Sequence, residues 1–204
     1  MALLFIRHGE TALNASRTLQ PPDTPLGERG LAQARAVAQR LADAGIVHIL
    51  SSDLPRALQT AQAIAASTGA PIETTPLLHE RNFGDLRGRP FDSLGFNPLL
   101  MAEAPPGGES LAEFRARVAA AFALAVQRRA ELGGALAVVT HGLVVRMVLE
   151  GHLALSAGHV LPHQVRNTSV TIAAMHAPHA TELVDCTRHL DAGERHAETS
   201  LSGG

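Results

Sequence analysis

The sequence predicts an α/β protein built on a mostly parallel sheet with an antiparallel edge, and three observations carry that expectation. Leu3-Leu4-Phe5-Ile6 is an unbroken apolar run stopped by charge and glycine, the pattern of a strand buried on both faces. Leu136-Ala137-Val138-Val139 repeats the pattern and, like the first run, leads into a histidine and a glycine. Between the two runs, short strands alternate with segments of helical period, which favours parallel strands joined by crossover helices.

After the first strand comes a polar loop with Pro21, Pro22 and Pro25, too proline-rich for a helix. A helix is expected over residues 28–44, with Leu31, Ala34, Ala38 and Leu41 on one face and Gly45 closing it. Residues 47–50 read as a strand. Ser51, Ser52 and Asp53 are candidate caps for a second helix that has Pro55 in its first turn. Leu54, Leu58, Ala61 and Ala65 would line its buried side, Gly69 would end it, and residues 71–74 form a short extended piece.

Residues 80–108, with Pro90, Pro98, Pro105 and Pro106, read as an excursion over the carboxyl ends of the strands rather than a core element. Ser110 and Glu113 form a capping box that opens a long helix, with Leu111, Phe114, Val118, Phe122 and Ala125 facing inward and Gly133-Gly134 beyond its end. After the second buried run the chain turns helical to about residue 149. Residues 168–175 and 181–186 close the sheet as a hairpin with Pro178 near its turn. Residues 1–188 thus form a single domain, and the small, polar residues 189–204 a flexible tail.

At 204 residues with 46% hydrophobic content, the chain has ample material for one core. A net charge of −2 provides no polybasic field, and Trp and Tyr are absent, so neither nucleic acid nor an anionic membrane is expected as a partner. The single Cys186 excludes an internal disulfide framework and suits a reducing compartment. Leu3-Leu4-Phe5-Ile6 is too short for a signal peptide, and His141 and Arg146 interrupt the longest apolar candidate for a span of roughly 20 residues. A soluble, cytoplasmic protein is expected; the sequence leaves a homodimer open.

In open α/β sheets ligands sit beyond the carboxyl ends of strands, which is where Arg7 and His8 fall. A neutral imidazole can attack an electrophile, and the adjacent guanidinium points to one bearing an anionic group, phosphate foremost. Arg56, in the first turn of the second helix, adds a bidentate donor at an end that already favours anions. Glu80 offers a carboxyl group for proton transfer. His141 ends a buried strand as His8 does.

These residues lie in stretches that resemble the histidine phosphatase superfamily, the phosphoglycerate-mutase-like enzymes of branch 1. The matching stretches are Arg7-His8-Gly9-Glu10-Thr11 with Asn14, Ser52-Asp53-Leu54-Pro55-Arg56-Ala57-Leu58-Gln59-Thr60-Ala61, Glu80-Arg81-Asn82-Phe83-Gly84 and Thr140-His141-Gly142. Pro106-Gly107-Gly108-Glu109-Ser110-Leu111 and Asn167-Thr168-Ser169-Val170 extend the likeness. It implies a three-layer α/β/α sandwich and a phosphohistidine on His8. Arg7, Arg56, His141 and Asn14 would surround the phosphoryl oxygens, and Glu80 would act as proton donor. The Gly142 backbone N–H, Thr11, Gln20 and Arg17 would be further contacts. No metal or other cofactor is implied, and the partner is a small phosphorylated metabolite. The chain departs from the family pattern at Gln20-Pro21-Pro22-Asp23, in one wall of the substrate pocket, and at Gly27, where Thr usually caps the helix.

Hydrolase and mutase remain competing expectations. The box around Glu80 looks like that of phosphoglycerate mutases, but those enzymes carry a longer basic insertion before the Gly-Glu-Ser box. Here Arg81, Arg87 and Arg89 are the only basic side chains between Glu80 and Glu109. An exposed phosphohistidine should meet water, so the phosphatase is favoured. A histidine-rich metal-binding protein is a weaker reading. His159 and His163, and His176 and His179, have suggestive spacings, but Pro162 breaks the first pair and the second lies at a turn. A non-catalytic phospho-ligand binder would be expected to lack His8 or Glu80.

Overall fold

The apolar runs become adjacent central strands, and everything else packs onto their two faces. The computed structural model describes residues 2–191. Its elements are β1 (Ala2–Arg7), α1 (Ala12–Ala15), α2 (Glu28–Leu41), β2 (Ile46–Ser51), α3 (Pro55–Thr68), β3 (Ile72–Thr74), α4 (Leu111–Ala130), β4 (Ala135–Thr140), α5 (Gly142–Gly151), β5 (Val170–Ala174) and β6 (Thr181–Cys186). The six-stranded sheet has the order β3-β2-β4-β1-β5-β6. β3, β2, β4 and β1 are parallel, with Arg7 opposite Thr140. β5 runs antiparallel to β1, and β6 antiparallel to β5. The expected mostly parallel sheet with an antiparallel margin is present.

Alternation along the buried strands divides the core in two. Leu3, Phe5, Leu136 and Val138 face Phe114, Val118 and Phe122 of α4 and Val144 and Val148 of α5. Leu4, Ile6, Ala137 and Val139 face Val37 and Leu41 of α2 and Ala57, Ala61 and Ile64 of α3. Helices therefore cover both faces, the three-layer sandwich the resemblance implied. Among the described residues no helix is long and apolar enough to cross a membrane.

Ser110 and Glu113 make the capping box expected for α4. Gly69 ends α3 in the left-handed conformation, φ 72°. Several local readings need correction. α2 stops at Leu41 rather than near residue 44, and Leu31 is exposed; the inner face instead carries Gly30, Gln33 and Val37. In α3 the buried face is Arg56-Ala57-Thr60-Ala61-Ile64, so Leu54, Leu58 and Ala65 lie only at its margin. Both rotations have the same cause: Gln33, Arg56 and Thr60 turn polar groups inward to meet the loop after β1. Ser52 and Asp53 do not cap α3; Leu54 holds the N-cap position without a side-chain bond. The loop after β1 contains the short helix α1, built on a Thr11–Asn14 capping box.

Residues 80–108 contain 3-10 turns at Gly84–Leu86, Phe91–Ser93 and Pro98–Leu100, and no strand or long helix. They are not peripheral to packing, because Phe83, Leu94 and Leu99 join the core on the α4 side. Of residues 189–204, Leu190 is buried and His189 bonds to Arg40 and Thr168, so the chain is still docked there. Residues 192–204 lie outside the described residues.

Candidate active site

The site grows from the ends of β1 and β4. The His8 N–H donates to the Thr140 carbonyl at 2.9 Å, locking the two strand ends together. His8 Nδ1 lies 2.6 Å from the Gly9 carbonyl oxygen. A carbonyl can only accept, so Nδ1 carries the proton and Nε2 keeps its lone pair. The loop is held from three further directions. Asn167 Nδ2 donates to the His8 carbonyl at 2.9 Å, the Gly9 N–H donates to Thr60 Oγ1 at 3.1 Å, and the Glu10 N–H donates to Gln33 Oε1 at 2.8 Å. The first turn of α2 sits so close beneath that a Cβ on Gly30 would lie 1.9 Å from the Glu10 carbonyl oxygen. Only glycine fits there.

Arg7 is buried and donates to the Val165 carbonyl at 2.6 Å. Arg56 is equally buried in the first turn of α3, where its Nη1 lies 3.4 Å from the carbonyl oxygens of Pro21 and Pro22. Burial lowers the Arg56 pKa to about 10, with Glu80 opposing and Arg7 and Arg87 adding to the fall. It remains a cation at neutral pH. Burial first, then Arg7 and Arg56, hold His8 well below the usual imidazole range, against the Gly9 hydrogen bond. His8 is thus neutral near pH 7, as a nucleophile requires.

Glu80 brings a carboxyl group to the same place from the other side. Its Oε1 accepts from the Arg81 N–H at 3.0 Å and its Oε2 from the Leu143 N–H, at the start of α5, at 3.2 Å. Burial raises its pKa above the ordinary carboxylate value, opposed by those two N–H groups and by Arg56 and Arg7. The segment carrying Glu80 is buckled down from α4. Arg117 pairs in bidentate fashion with Glu109, at 2.9 and 2.8 Å, and donates to the carbonyls of Leu77, His79 and Glu80 at 2.9, 2.7 and 3.3 Å.

A cavity of about 340 Å³, within the size range of small-molecule sites, brings together Arg7, His8, Arg56 and Glu80, with Asn14 and Gln20 also in its wall. Leu19, Leu54, Phe83, Leu99 and Leu143 supply apolar surface. The other candidates do not line this cavity. His141 is fully buried at the N-cap of α5 and packs against His8, ring centroids 5.1 Å apart, without lining the cavity. Its Nε2 bonds to Ser52 Oγ at 2.9 Å while Nδ1 has no partner among the described residues. Burial, then Arg56 and His8, keep it well below the usual histidine pKa. Gly142 and Thr11 do not line the cavity; Thr11 caps α1 and bonds to Gln20. Arg17 lies at a separate, more open hollow, 3.8 Å from Asp92 and over the Phe91 ring.

Several contributors were given no part in the site by sequence reasoning. Ser52 was read only as a cap, Thr60 and Asn167 were named only inside the matching stretches, and Gln33 was not singled out. Arg117 had no signal at all, because its role depends on residues 77–80 folding back over α4. The histidines with metal-like spacing make other bonds: His159 Nδ1 to Thr181 Oγ1 at 2.7 Å and His179 Nδ1 to the Ala174 carbonyl at 3.1 Å. Among the described residues no group of three or more His, Cys, Asp or Glu gathers as a metal cluster.

A family model described as the histidine phosphatase superfamily (branch 1) matches residues 3–185. A protein named probable phosphoglycerate mutase GpmB, from Yersinia pestis (strain Pestoides F), is 38% identical over 84% of this chain and 83% of its own length. Among solved structures, mycobacterial glucosyl-3-phosphoglycerate phosphatase complexed with VO3 aligns with TM-score 0.72 and 28% identity, over 85% of this chain and 90% of that one. Phosphoglycerate mutase from Thermus thermophilus aligns with TM-score 0.69 and 30% identity, over 92% of this chain and 99% of that one.

Proposed function

The chain belongs to the histidine phosphatase superfamily, branch 1, and on that premise we propose that it hydrolyses a small phosphomonoester through a phosphohistidine on His8, with no metal. One observation carries this reading. His8 has Nε2 unprotonated because Gly9 takes the Nδ1 proton, and it shares a cavity with two buried arginines and a carboxyl group of raised pKa.

In the first step the Nε2 lone pair forms a bond to phosphorus as the bond to the ester oxygen breaks. Glu80, in its acid form, gives its proton to the leaving alkoxide. The charge spread over the equatorial oxygens is met by Arg7 and Arg56, with Asn14 in reach at the cavity wall. The imidazolium character that develops on His8 is shared with the Gly9 carbonyl through Nδ1–H. In the second step the Glu80 carboxylate takes a proton from water, whose oxygen bonds to phosphorus as the N–P bond breaks. Phosphate leaves, and neutral His8 and protonated Glu80 are restored. His141 supports this state from beside His8: with the Ser52 hydroxyl donating to Nε2, its Nδ1 carries the proton available to a phosphoryl oxygen. The positive charge comes from arginines, so the mechanism requires no cation from solution.

Phosphoglycerate mutase is the second reading, favoured by the names of two of the relatives. Against it stands the short stretch from Glu80 to Glu109, which carries only Arg81, Arg87 and Arg89 as basic side chains and so little to shield a phosphohistidine from water. Hydrolysis of p-nitrophenyl phosphate in excess chelator, by wild type and His8→Ala, tests the choice. Chelator-resistant turnover lost by about a thousandfold or more in the variant supports the phosphatase. No turnover by the wild type, with phosphoglycerate isomerisation dependent on a bisphosphate primer, supports the mutase.

A further inference from the structure

Residues 187–190 lie past the end of the region that the family model covers, and they turn back towards the loop after β1. The Leu190 N–H donates to the Thr187 carbonyl at 2.9 Å, and Leu190 is buried. This turn presents the half-buried His189 between two polar groups. Arg40, in the last turn of α2, reaches its Nδ1 at 3.0 Å and is itself steadied by the Cys186 carbonyl at 2.8 Å. Thr168 Oγ1 lies 3.0 Å from its Nε2.

Donor and acceptor rules fix each proton along this line. A guanidinium can only donate, so His189 Nδ1 accepts from Arg40 and the ring proton sits on Nε2. The Nε2–H then donates to Thr168 Oγ1, and the Thr168 hydroxyl gives its own proton to the Asn167 carbonyl at 2.8 Å. Protonation of Nδ1 would set two N–H groups against each other. Burial first, then Arg40 and Arg188, lower the His189 pKa to about 4, so the neutral ring persists at neutral pH.

Thr168 is where this line meets the catalytic loop. Its N–H donates to the carbonyls of Arg7 and His8, at 3.0 and 3.3 Å, and the Arg7 N–H donates to the Ser169 carbonyl at 3.4 Å. To make these bonds Thr168 takes φ 52°, in the left-handed region that a β-branched residue rarely enters. Such a conformation lasts only where its surroundings hold it, and the bond from His189 is one of the holds.

We propose that His189 is a positioning residue of the site: through Thr168 it fixes the carbonyls of Arg7 and His8, and with them the line of attack of the His8 ring. The proposal rests on His8 being the nucleophile. It gives a part in catalysis to a segment that lies beyond the last strand and outside the cavity wall.

Nitrogen-15 NMR of the histidine rings and kinetics on two esters test it together. In the wild type, His189 should show the Nε2–H tautomer and His8 the Nδ1–H tautomer. His189→Ala should shift the His8 ring-nitrogen signals. It should also lower kcat/KM by about tenfold for p-nitrophenyl phosphate and an alkyl phosphate alike, because attack by His8 is common to both. His189→Gln should restore most of the signal positions and of the rate, since its amide carries one acceptor and one donor as the neutral ring does. Arg40→Gln tests the same line without touching the turn, and should shift the His189 and His8 signals together. The proposal is overturned if His189→Ala moves only the unfolding midpoint and leaves the His8 signals and kcat/KM in place. An Nδ1–H tautomer on His189, equal losses in the Ala and Gln variants, or an Arg40→Gln shift confined to His189 would also overturn it. If the wild type hydrolyses neither ester, yet the His8 signals move with His189→Ala and return with His189→Gln, the nucleophile reading fails and the positioning of His8 stands.

Discussion

His8, Arg7 and Arg56 stand on the ends of β1 and α3, whereas Glu80 stands on an irregular segment between β3 and α4; the two halves reach one cavity by different means. The first half is held by the sheet itself. β1 and β4 are buried through their length, and the loop after β1 is tied to Thr140, Asn167, Thr60 and Gln33. The second half has no ladder to hold it. Its place is set by side chains: Arg117 with Glu109, the Thr140 hydroxyl on the Leu78 carbonyl, His79 with Asp53, and the N–H groups of Arg81 and Leu143 on the carboxylate. The contrast suits the chemistry. The group that attacks phosphorus gains from rigid alignment, while the acid must serve a leaving group and then a water at the same position.

The largest expected effect lies in the Glu80 half and depends on the leaving group. Glu80→Gln should lower kcat/KM, which reports the first transfer, by about a thousandfold for an alkyl phosphate, but far less for p-nitrophenyl phosphate, because p-nitrophenolate leaves without a proton. In the wild type, kcat/KM for the alkyl ester should fall as pH rises through the raised Glu80 pKa, since the acid form is the one required. That alkaline limb should be absent in Glu80→Gln. Equal losses on both esters would remove Glu80 from its role.

Arg56→Ala attacks the other half and should cost about a hundredfold on both esters alike. It should also move the alkaline limb to higher pH, because the Arg56 charge holds the Glu80 pKa down. A limb that stays in place would contradict the coupling between the halves.

Arg117→Ala sharpens the comparison further. Removing the buckle should lower kcat/KM for the alkyl ester by roughly tenfold, again sparing kcat/KM for the aryl ester. Arg117→Lys should rescue only part, since an ammonium cannot make the bidentate pair. A uniform loss on both substrates would mean that Arg117 merely supports the fold.

The smallest effect on chemistry and the clearest on stability is expected from Gly30→Ala. Its methyl group would force α2 away from Glu10, lowering stability by about 1–3 kcal/mol in denaturant unfolding. An unchanged unfolding midpoint would show that the approach is not tight.

The same contrast explains what the sequence made legible. Buried parallel strands announce themselves as apolar runs, so the sheet, the two core faces and the positions of Arg7 and His8 could be read directly. Arg56 and Glu80 were found through their matching stretches. Helix faces were misjudged where function places polar residues inward: Thr60 and Gln33 are buried because they hold the His8 loop, so counting apolar residues gave the wrong phase for α3 and favoured Leu31 in α2. His141 was assigned a phosphoryl contact through its matching stretch; it packs against His8 with Nδ1 unpartnered among the described residues, while Arg17 lines a second hollow. Arg117 was invisible because long-range contact, not local pattern, gives it its role.

The phosphoenzyme on His8 is most directly tested by stereochemistry. Hydrolysis of a phosphomonoester made chiral at phosphorus with oxygen isotopes, in isotopically labelled water, records the number of displacements. Two in-line transfers, to His8 Nε2 and then to water, predict net retention of configuration. Net inversion would mean a single direct attack by water, and would contradict a covalent intermediate on His8.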